Sequence, residues 1–207
     1  MGRPRHQPRT ADDLLDAAER LIEAEGVGAL SLRRVAESAG TTTRAVYSLF
    51  GSKDGLVTAL GQRAFELLGE GVDRVPQTDD AAGDLVEAGI SVFRRFSLEH
   101  PSLFRVAVQR TLPGPGYATG FGAEAGRAMR RLEQKVQRLE DAGILGGRTV
   151  REATTAFHAM CEGLAALELR GLLPEGHEGA AWRDGLGTLV RGFAAVPAEE
   201  PASLPTV

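Results

Sequence analysis

The stretch from residue 30 to 57, LSLRRVAESAGTTTRAVYSLFGSKDGLV, constrains this chain more than any other. Leu32, Val35, Ala36 and Ala39 recur at i, i+3, i+4 and i+7, the buried stripe of a short amphipathic helix. Ser31 precedes it and can accept from its free N–H groups. Ala39-Gly40-Thr41 breaks the pattern, and Gly40 can take the positive φ of a sharp turn. Thr42 or Thr41 can cap a second helix from Thr43 to about Phe50. On a helical wheel Thr43, Arg44, Tyr47 and Ser48 share one arc, and Ala45, Val46, Leu49 and Phe50 the opposite one. Two short helices joined by a tight glycine turn, the second with a polar outer face, form a helix-turn-helix. Its second helix fits the major groove of DNA.

The charge distribution agrees with this. The net charge is −4, yet residues 1–10 hold Arg3, Arg5 and Arg9 and no acid. Residues 31–53 hold Arg33, Arg34, Arg44 and Lys53 against Glu37 alone. A locally basic face on an acidic protein attracts phosphate while limiting indiscriminate binding.

The same stretch resembles the DNA-binding domain of the TetR family of transcriptional regulators. The resemblance rests on Ala36, Ala39-Gly40, Val46-Tyr47, Phe50 and Ser52-Lys53-Asp54-Gly55-Leu56. The helix expected from Thr10 to Glu25, with the Leu30-Ser31-Leu32 that follows, is similar to the family's first helix. Thr41 stands where the family usually has an aliphatic residue, and Leu49 where it has His or Tyr. The resemblance implies that Tyr47 and Lys53 contact phosphates. Lys53 also lies in the first turn of a helix, where free N–H groups favour a phosphate oxygen. Thr43 and Arg44, facing outward at the start of the second helix, are the expected base readers, with Thr42 beside them. Arg44 can donate two hydrogen bonds to guanine O6 and N7. Arg33 is a further candidate for DNA contact. Gly2-Arg3-Pro4-Arg5 resembles arms that insert arginine into the minor groove, which places Arg3 and Arg5 in the candidate set.

The fold expected is all-α. Hydrophobic residues make up 43% of the chain, aromatics only 5%, and period-two alternation is nearly absent. The expected organisation is a basic arm over 1–9, a helix-turn-helix domain over 10–55, a helical effector-binding and dimerisation domain over 56–195, and a disordered tail over 196–207. Within the third part, helices are expected from Ser52 to about Asp73, Asp80 to Glu99, Pro101 to about Arg110, Phe121 to Ala142, Thr149 or Val150 to Arg170, and Ala180 to Ala195. Residues 111–120, rich in Pro and Gly, read as a loop. The charged run from Arg127 to Asp141 reads as a solvated face.

The segment from Ala153 to Leu169 is nearly apolar all round and needs covering on every side, most simply by a second subunit. TetR-like proteins dimerise through their last two long helices. The expected interface comprises Met160, Leu164, Leu167, Trp182, Leu186, Leu189 and Phe193. Residues 162–171 also resemble the WHG subset of TetR C-terminal domains, with Glu162-Gly163 where that subset usually has His-Gly.

These features together predict a homodimer that binds palindromic double-stranded DNA and acts as a repressor released by a small hydrophobic effector. Candidate effector contacts are Phe93, Phe96, Phe104, Val108, Tyr117, Phe121, His158 and Glu162. Two alternatives stand beside this reading. One is an enzyme using the C-terminal cavity, supported only by His158, Cys161 and Glu162 within one helical turn. No orienting third group and no oxyanion motif accompany them. The other is a DNA-binding protein without an effector. No metal or cofactor is expected: His6, His100 and His177 are scattered, and the single cysteine excludes a disulfide framework or cysteine-based zinc cluster. No apolar run reaches the roughly 20 residues of a membrane span, and no signal peptide is visible, so a cytoplasmic location is expected.

Overall fold

The computed structural model describes residues 10–109 and 122–195. Arg3, Arg5, Tyr117 and Phe121, and the arm, loop and tail predicted around them, lie outside the described residues. Among the described residues the fold is all-α, with no strand. The chain divides into two compact units. One combines Met1–Glu70 with Phe96–Ala128, the other Gly71–Arg95 with Met129–Val207.

In the first unit, helix α1 spans Ala11–Glu25. It starts where the sequence signals it: the Thr10 hydroxyl accepts from the Asp13 N–H (3.2 Å), and the Asp13 carboxylate accepts from the Thr10 N–H (3.0 Å). The helix ends at Gly26, whose φ of 82° suits glycine. Helices α2 (Leu32–Ala39), α3 (Thr43–Phe50) and α4 (Lys53–Arg74) follow. Leu14, Ile22, Leu30, Val35, Val46, Leu56 and Leu60 are each at most 1% exposed and form the core beneath them. Each such side chain contributes about 1.5–3 kcal/mol through burial. Helix α1 also packs on the short helix α7, Pro101–Leu103. There, His100 Nδ1 lies 2.6 Å from Glu19 Oε1.

In the second unit, Asp80 caps helix α5 (Ala81–Ala88) by accepting from the Gly83 N–H at 2.8 Å. The helix expected from Asp80 to Glu99 is present in extent but changes its winding. Gly89–Arg94 is π-helical, and α6 (Arg95–Glu99) resumes the α form. A second π-helical turn, Phe104–Val108, follows α7 in the first unit. Helices α8 (Gly122–Asp141), α9 (Val150–Leu169) and α10 (Glu178–Phe193) complete the described chain. Thr149 and Glu152 form a capping box at the start of α9.

Helices α9 and α10 pack on α5 and the π-helical segment. A Cβ on Gly89 would lie 2.4 Å from Leu186 Cδ1 and 3.1 Å from Phe157 Cζ, so the absence of a side chain permits this approach. Arg94 donates from Nε and Nη2 to the Glu168 carboxylate at 2.7–3.1 Å. The same carboxylate accepts from Trp182 Nε1–H at 2.7 Å. One largely buried anion thus joins the π-helical segment, α9 and α10.

The charged run on α8 corrects the expectation of a wholly solvated face. Lys135 is only 5% exposed and donates to the Val75 carbonyl at 2.7 Å. Burial lowers its pKa. Arg138 turns inward to the buried Asp84 carboxylate and the Thr78 carbonyl. A charge-rich sequence reads as solvent-facing, but these cations are held by carboxylate and carbonyl acceptors in the segment leading into α5 and in its first turn.

Candidate nucleic-acid interface

The geometry of α2, its turn and α3 follows from local chemistry. The Ser31 hydroxyl accepts from the Arg34 N–H at 3.3 Å and starts α2. Gly40 takes the left-handed conformation, φ 65° and ψ 38°, and ends it. The Thr41 N–H donates back to the Ala36 carbonyl at 2.9 Å, closing the turn. Of the two threonines open as caps, Thr42 serves: its hydroxyl accepts from the Ala45 N–H at 3.2 Å. Helix α3 ends at Gly51, φ 69°. Ser52 then starts α4 by accepting from the Gly55 N–H at 3.0 Å.

This construction leaves Thr43, Arg44, Tyr47 and Ser48 at the surface of α3, with Val46 fully buried on the other side. Lys53, in the first turn of α4, is exposed, and so are Thr42 and Arg33. The structure therefore brings Thr42, Thr43, Arg44, Tyr47 and Lys53 onto the exposed surface of one short segment. Arg33 is tied to Glu37, Nε to Oε1 at 3.3 Å, and Arg34 to Glu25. Among the described residues no carboxylate pairs with Arg44, so its guanidinium is available. The Ser48 hydroxyl is spent on its own helix, donating to the Arg44 carbonyl at 2.8 Å.

One residue departs from the wheel. Leu49, expected on the buried arc with Ala45, Val46 and Phe50, is 51% exposed. The wheel gives direction but not which directions neighbouring helices cover.

The remaining candidates divide between the units. Phe96, Phe104 and Val108 belong to the first unit, where Phe96 and Phe104 are buried and the Phe96 ring lies 5.7 Å from that of His100. Phe93, His158 and Glu162 belong to the second. The Phe93 and His158 rings meet edge to face at 5.6 Å. His158 Nε2 lies 3.9 Å from Glu162 Oε2. Burial lowers the pKa of His158, opposed by the negative charge of Glu162. Cys161, one turn away, is buried and its thiol is pushed well above the usual range. A thiol held protonated is a poor nucleophile, which weighs against the enzymatic reading of this cluster.

On α9 and α10, Met160, Leu167 and Leu189 keep partly exposed surface, while Leu164 packs inward near Gly185. Trp182 and Leu186 correct the expected interface. Both are 0% exposed, enclosed by their own chain, and offer no surface to a partner. Phe193 is 3% exposed and lines the edge of an open groove of about 530 Å³ along the two helices. Ala156, Met160, Gly185 and Leu189 line the same groove. An apolar side chain reads alike from sequence whether it fills its own core or a partner's.

Comparison with known proteins agrees with the fold and the helix-turn-helix. The family model for bacterial regulatory proteins of the TetR family matches residues 14–60. A model for the tetracyclin repressor-like C-terminal domain matches residues 86–189. The HTH-type transcriptional repressor DrrR1 of Streptomyces coeruleorubidus is 30% identical over 134 residues, covering 58% of this chain and 44% of that protein. The match thus spans less than half of that relative's length. A protein of unknown function from Rhodococcus sp. RHA1 superposes with a TM-score of 0.79 at 24% identity, over 94% of this chain and all of the other. The TetR family regulator PfmR from Thermus thermophilus superposes with a TM-score of 0.66 at 20% identity, over 86% and 97% of the two chains. Regulators of this kind are not enzymes, and no helix among the described residues is long and apolar enough to cross a membrane. With a helix-turn-helix at one end and a matching C-terminal domain over half its length, the chain belongs to the TetR family of bacterial transcriptional regulators.

Proposed function

We propose that the protein is a dimeric repressor that binds a palindromic DNA operator and is released from it by a small, mainly apolar molecule. Residues 10–55 would read the DNA, and residues 56–195 would bind the effector and the second subunit. The observation that carries this reading is the exposed row on α3 and the start of α4. Arg44 is unpaired there among the described residues, and Tyr47 and Lys53 stand beside it. Arg44 and Thr43 address base edges, and Tyr47 and Lys53 phosphates. Arg33 is a weaker participant because Glu37 competes for it. Arg3 and Arg5 would reach the minor groove.

The apolar groove lined by Ala156, Met160, Gly185 and Leu189 supports pairing of α9 and α10 with their copies in a second subunit. Two-fold symmetry then implies two half-sites about 34–36 Å apart. Repression, rather than activation, is inferred from the character of DrrR1, which is a repressor. The chain would act in the cytoplasm, where its operator is.

For the effector, Phe93, His158 and Glu162 supply an aromatic edge, an imidazole kept largely neutral by burial, and a carboxylate. Such a lining favours a neutral or cationic molecule over an anion. Effector binding would favour a conformer with wrongly spaced reading helices, to the extent of its differential affinity.

Selection of bound sites from random duplex DNA tests the reading. The expected result is a two-fold symmetric consensus with half-sites one helical turn apart. Enrichment of no sequence, or of an asymmetric one, would contradict it. A thermal-shift screen should then find neutral or cationic apolar compounds that raise the melting temperature and release this DNA. Tight binding by anionic acyl compounds alone would remove Glu162 from the effector site.

A further inference from the structure

Helix α2 carries its charges the wrong way round. Its first turn holds Arg33 and Arg34 and no acid, and its last turn holds Glu37 and no cation. The free N–H groups at the start of a helix favour anions, and the free carbonyls at its end favour cations. Both placements therefore oppose the helix they sit on. The ion pair between them, Arg33 Nε to Glu37 Oε1 at 3.3 Å, runs from i to i+4 with the cation on the N-terminal side, the weaker of the two orientations. The two side chains are 78% and 62% exposed, so the pair adds little to stability. The folding of α2 does not account for Glu37.

Its surroundings do. Glu37 is the one acid between Ser31 and Lys53. Its carbonyl accepts from the Gly40 N–H at 3.2 Å, which places it on the last turn before the glycine that leads into α3. The other cation of α2, Arg34, is held by Glu25 of α1. Both arginines of α2 are thus neutralised within the protein. Arg44 and Lys53, by contrast, are exposed and carry no ion pair among the described residues. Attraction to phosphate is the part of DNA affinity that ignores sequence. It also ignores the spacing of the two reading helices, so an effector that misplaces them leaves it intact. Release from DNA is complete only where that residual attraction is weak. A carboxylate beside Arg33 weakens it, by occupying the guanidinium and by repelling the phosphates it would meet.

We propose that Glu37 is an affinity-limiting residue, which cancels the charge of Arg33 and so restrains sequence-independent binding to DNA. This rests on the DNA-binding function proposed above. It goes beyond that function by giving a role in DNA binding to a residue of the same charge as DNA.

The test uses the full chain, the duplex obtained by selection, and a scrambled duplex of the same length and composition. Affinity is measured by fluorescence anisotropy over a series of salt concentrations for the wild type, Glu37→Gln, Arg33→Ala and the double variant. At low salt Glu37→Gln should bind both duplexes tighter by about threefold or more per subunit engaged, the effect of two like charges about 7 Å apart in water. Its slope of log affinity against log salt should steepen by about one per subunit, as Arg33 gains a phosphate. The ratio of operator to scrambled affinity should not change. In the Arg33→Ala background the same substitution should leave the slope as it was. Glu37→Gln should melt no lower than the wild type, because it removes an anion from the carbonyl end of α2. A lower melting temperature, an unchanged slope, a gain confined to the operator, or a steepening that persists without Arg33 would overturn the proposal while leaving DNA binding intact. Failure of the wild type to bind any duplex would overturn the DNA-reading function itself, and this proposal with it.

Discussion

A Cβ on Gly55 would stand 1.9 Å from the carbonyl oxygen of Phe50. The first turn of α4 thus passes directly over the end of α3, and only a glycine leaves room for it. Between the two helices lie Gly51, with φ 69°, and Ser52, whose N–H donates to the same Phe50 carbonyl at 2.8 Å. This junction fixes Lys53, at the start of one helix, relative to Tyr47 in the last turn of the helix before it.

Gly55→Ala must therefore push the junction apart, because the obstructing atom is backbone and cannot swing away. The expected loss is about 1–3 kcal/mol, the usual range for an overpacked site. Thermal unfolding of the variant would show it. DNA affinity should fall further than the stability loss explains, because Lys53 is displaced along with α4.

Tyr47→Phe and Lys53→Ala should weaken binding to all duplexes about equally, since each would remove a proposed phosphate contact and no proposed base contact. Lys53→Ala should also reduce the slope of log affinity against log salt by about one. Arg44→Ala should instead relax discrimination at one base pair per half-site by roughly 1–3 kcal/mol, if the contact is bidentate. Binding titrations at several salt concentrations against single-base operator variants separate the two classes. A uniform loss for Arg44→Ala would place it on phosphate.

For dimerisation, Met160→Glu or Leu189→Asp should yield folded monomers in sedimentation experiments. Both residues line the mainly apolar groove, which Arg148 and Asp184 also line, and a further charge buried there against a partner costs several kcal/mol. Leu186→Asp should unfold the chain instead, because Leu186 is 0% exposed within one subunit. A wild type that sediments as a monomer at micromolar concentration would remove the interface.

Much of the fold is legible in the sequence where the signal is local. Thr10 with Asp13, Ser31, Gly40 and Thr42 each act within four residues, so side-chain chemistry alone locates the ends of α1, α2 and α3. The exposed positions Thr43, Arg44, Tyr47 and Ser48 on α3 follow from the helical wheel. What the sequence obscures depends on neighbours distant along the chain. Leu49 reads as buried because a wheel does not show where other helices end. Trp182 and Leu186 read as interface because a subunit's own core and a shared core have the same composition. Lys135 and Arg138 read as solvated because their acceptors lie 60 and 54 residues away, at Val75 and Asp84. The π-helical winding of Gly89–Arg94 leaves no mark, since six residues are too few to distinguish its period from that of an α-helix.

Asp84 makes the second unit sensitive to acid. Burial alone would raise its pKa, but hydrogen bonds from the Arg138 guanidinium and from the Thr78 N–H and hydroxyl overcome this and hold it at about 2. The folded-state pKa is thus depressed below the ordinary 3.8. The stabilisation is complete above about pH 4 and is lost as pH falls towards 2. Asp84→Asn should lower the melting temperature at neutral pH, and its deficit against the wild type should shrink across that window. A deficit constant from neutral pH down to the acid end of that window would show that the carboxylate's charge is not what holds Arg138 and Thr78.

If two copies of α3 enter successive major grooves on one face of a duplex, hydroxyl-radical footprinting of the selected operator will show it directly. Two symmetric protected patches are expected, their centres one helical turn or about 34–36 Å apart. Both should be absent for the Tyr47→Phe/Lys53→Ala double variant at the same protein concentration. A single patch, or two patches that persist unchanged in the double variant, would contradict the docking of α3 in paired grooves.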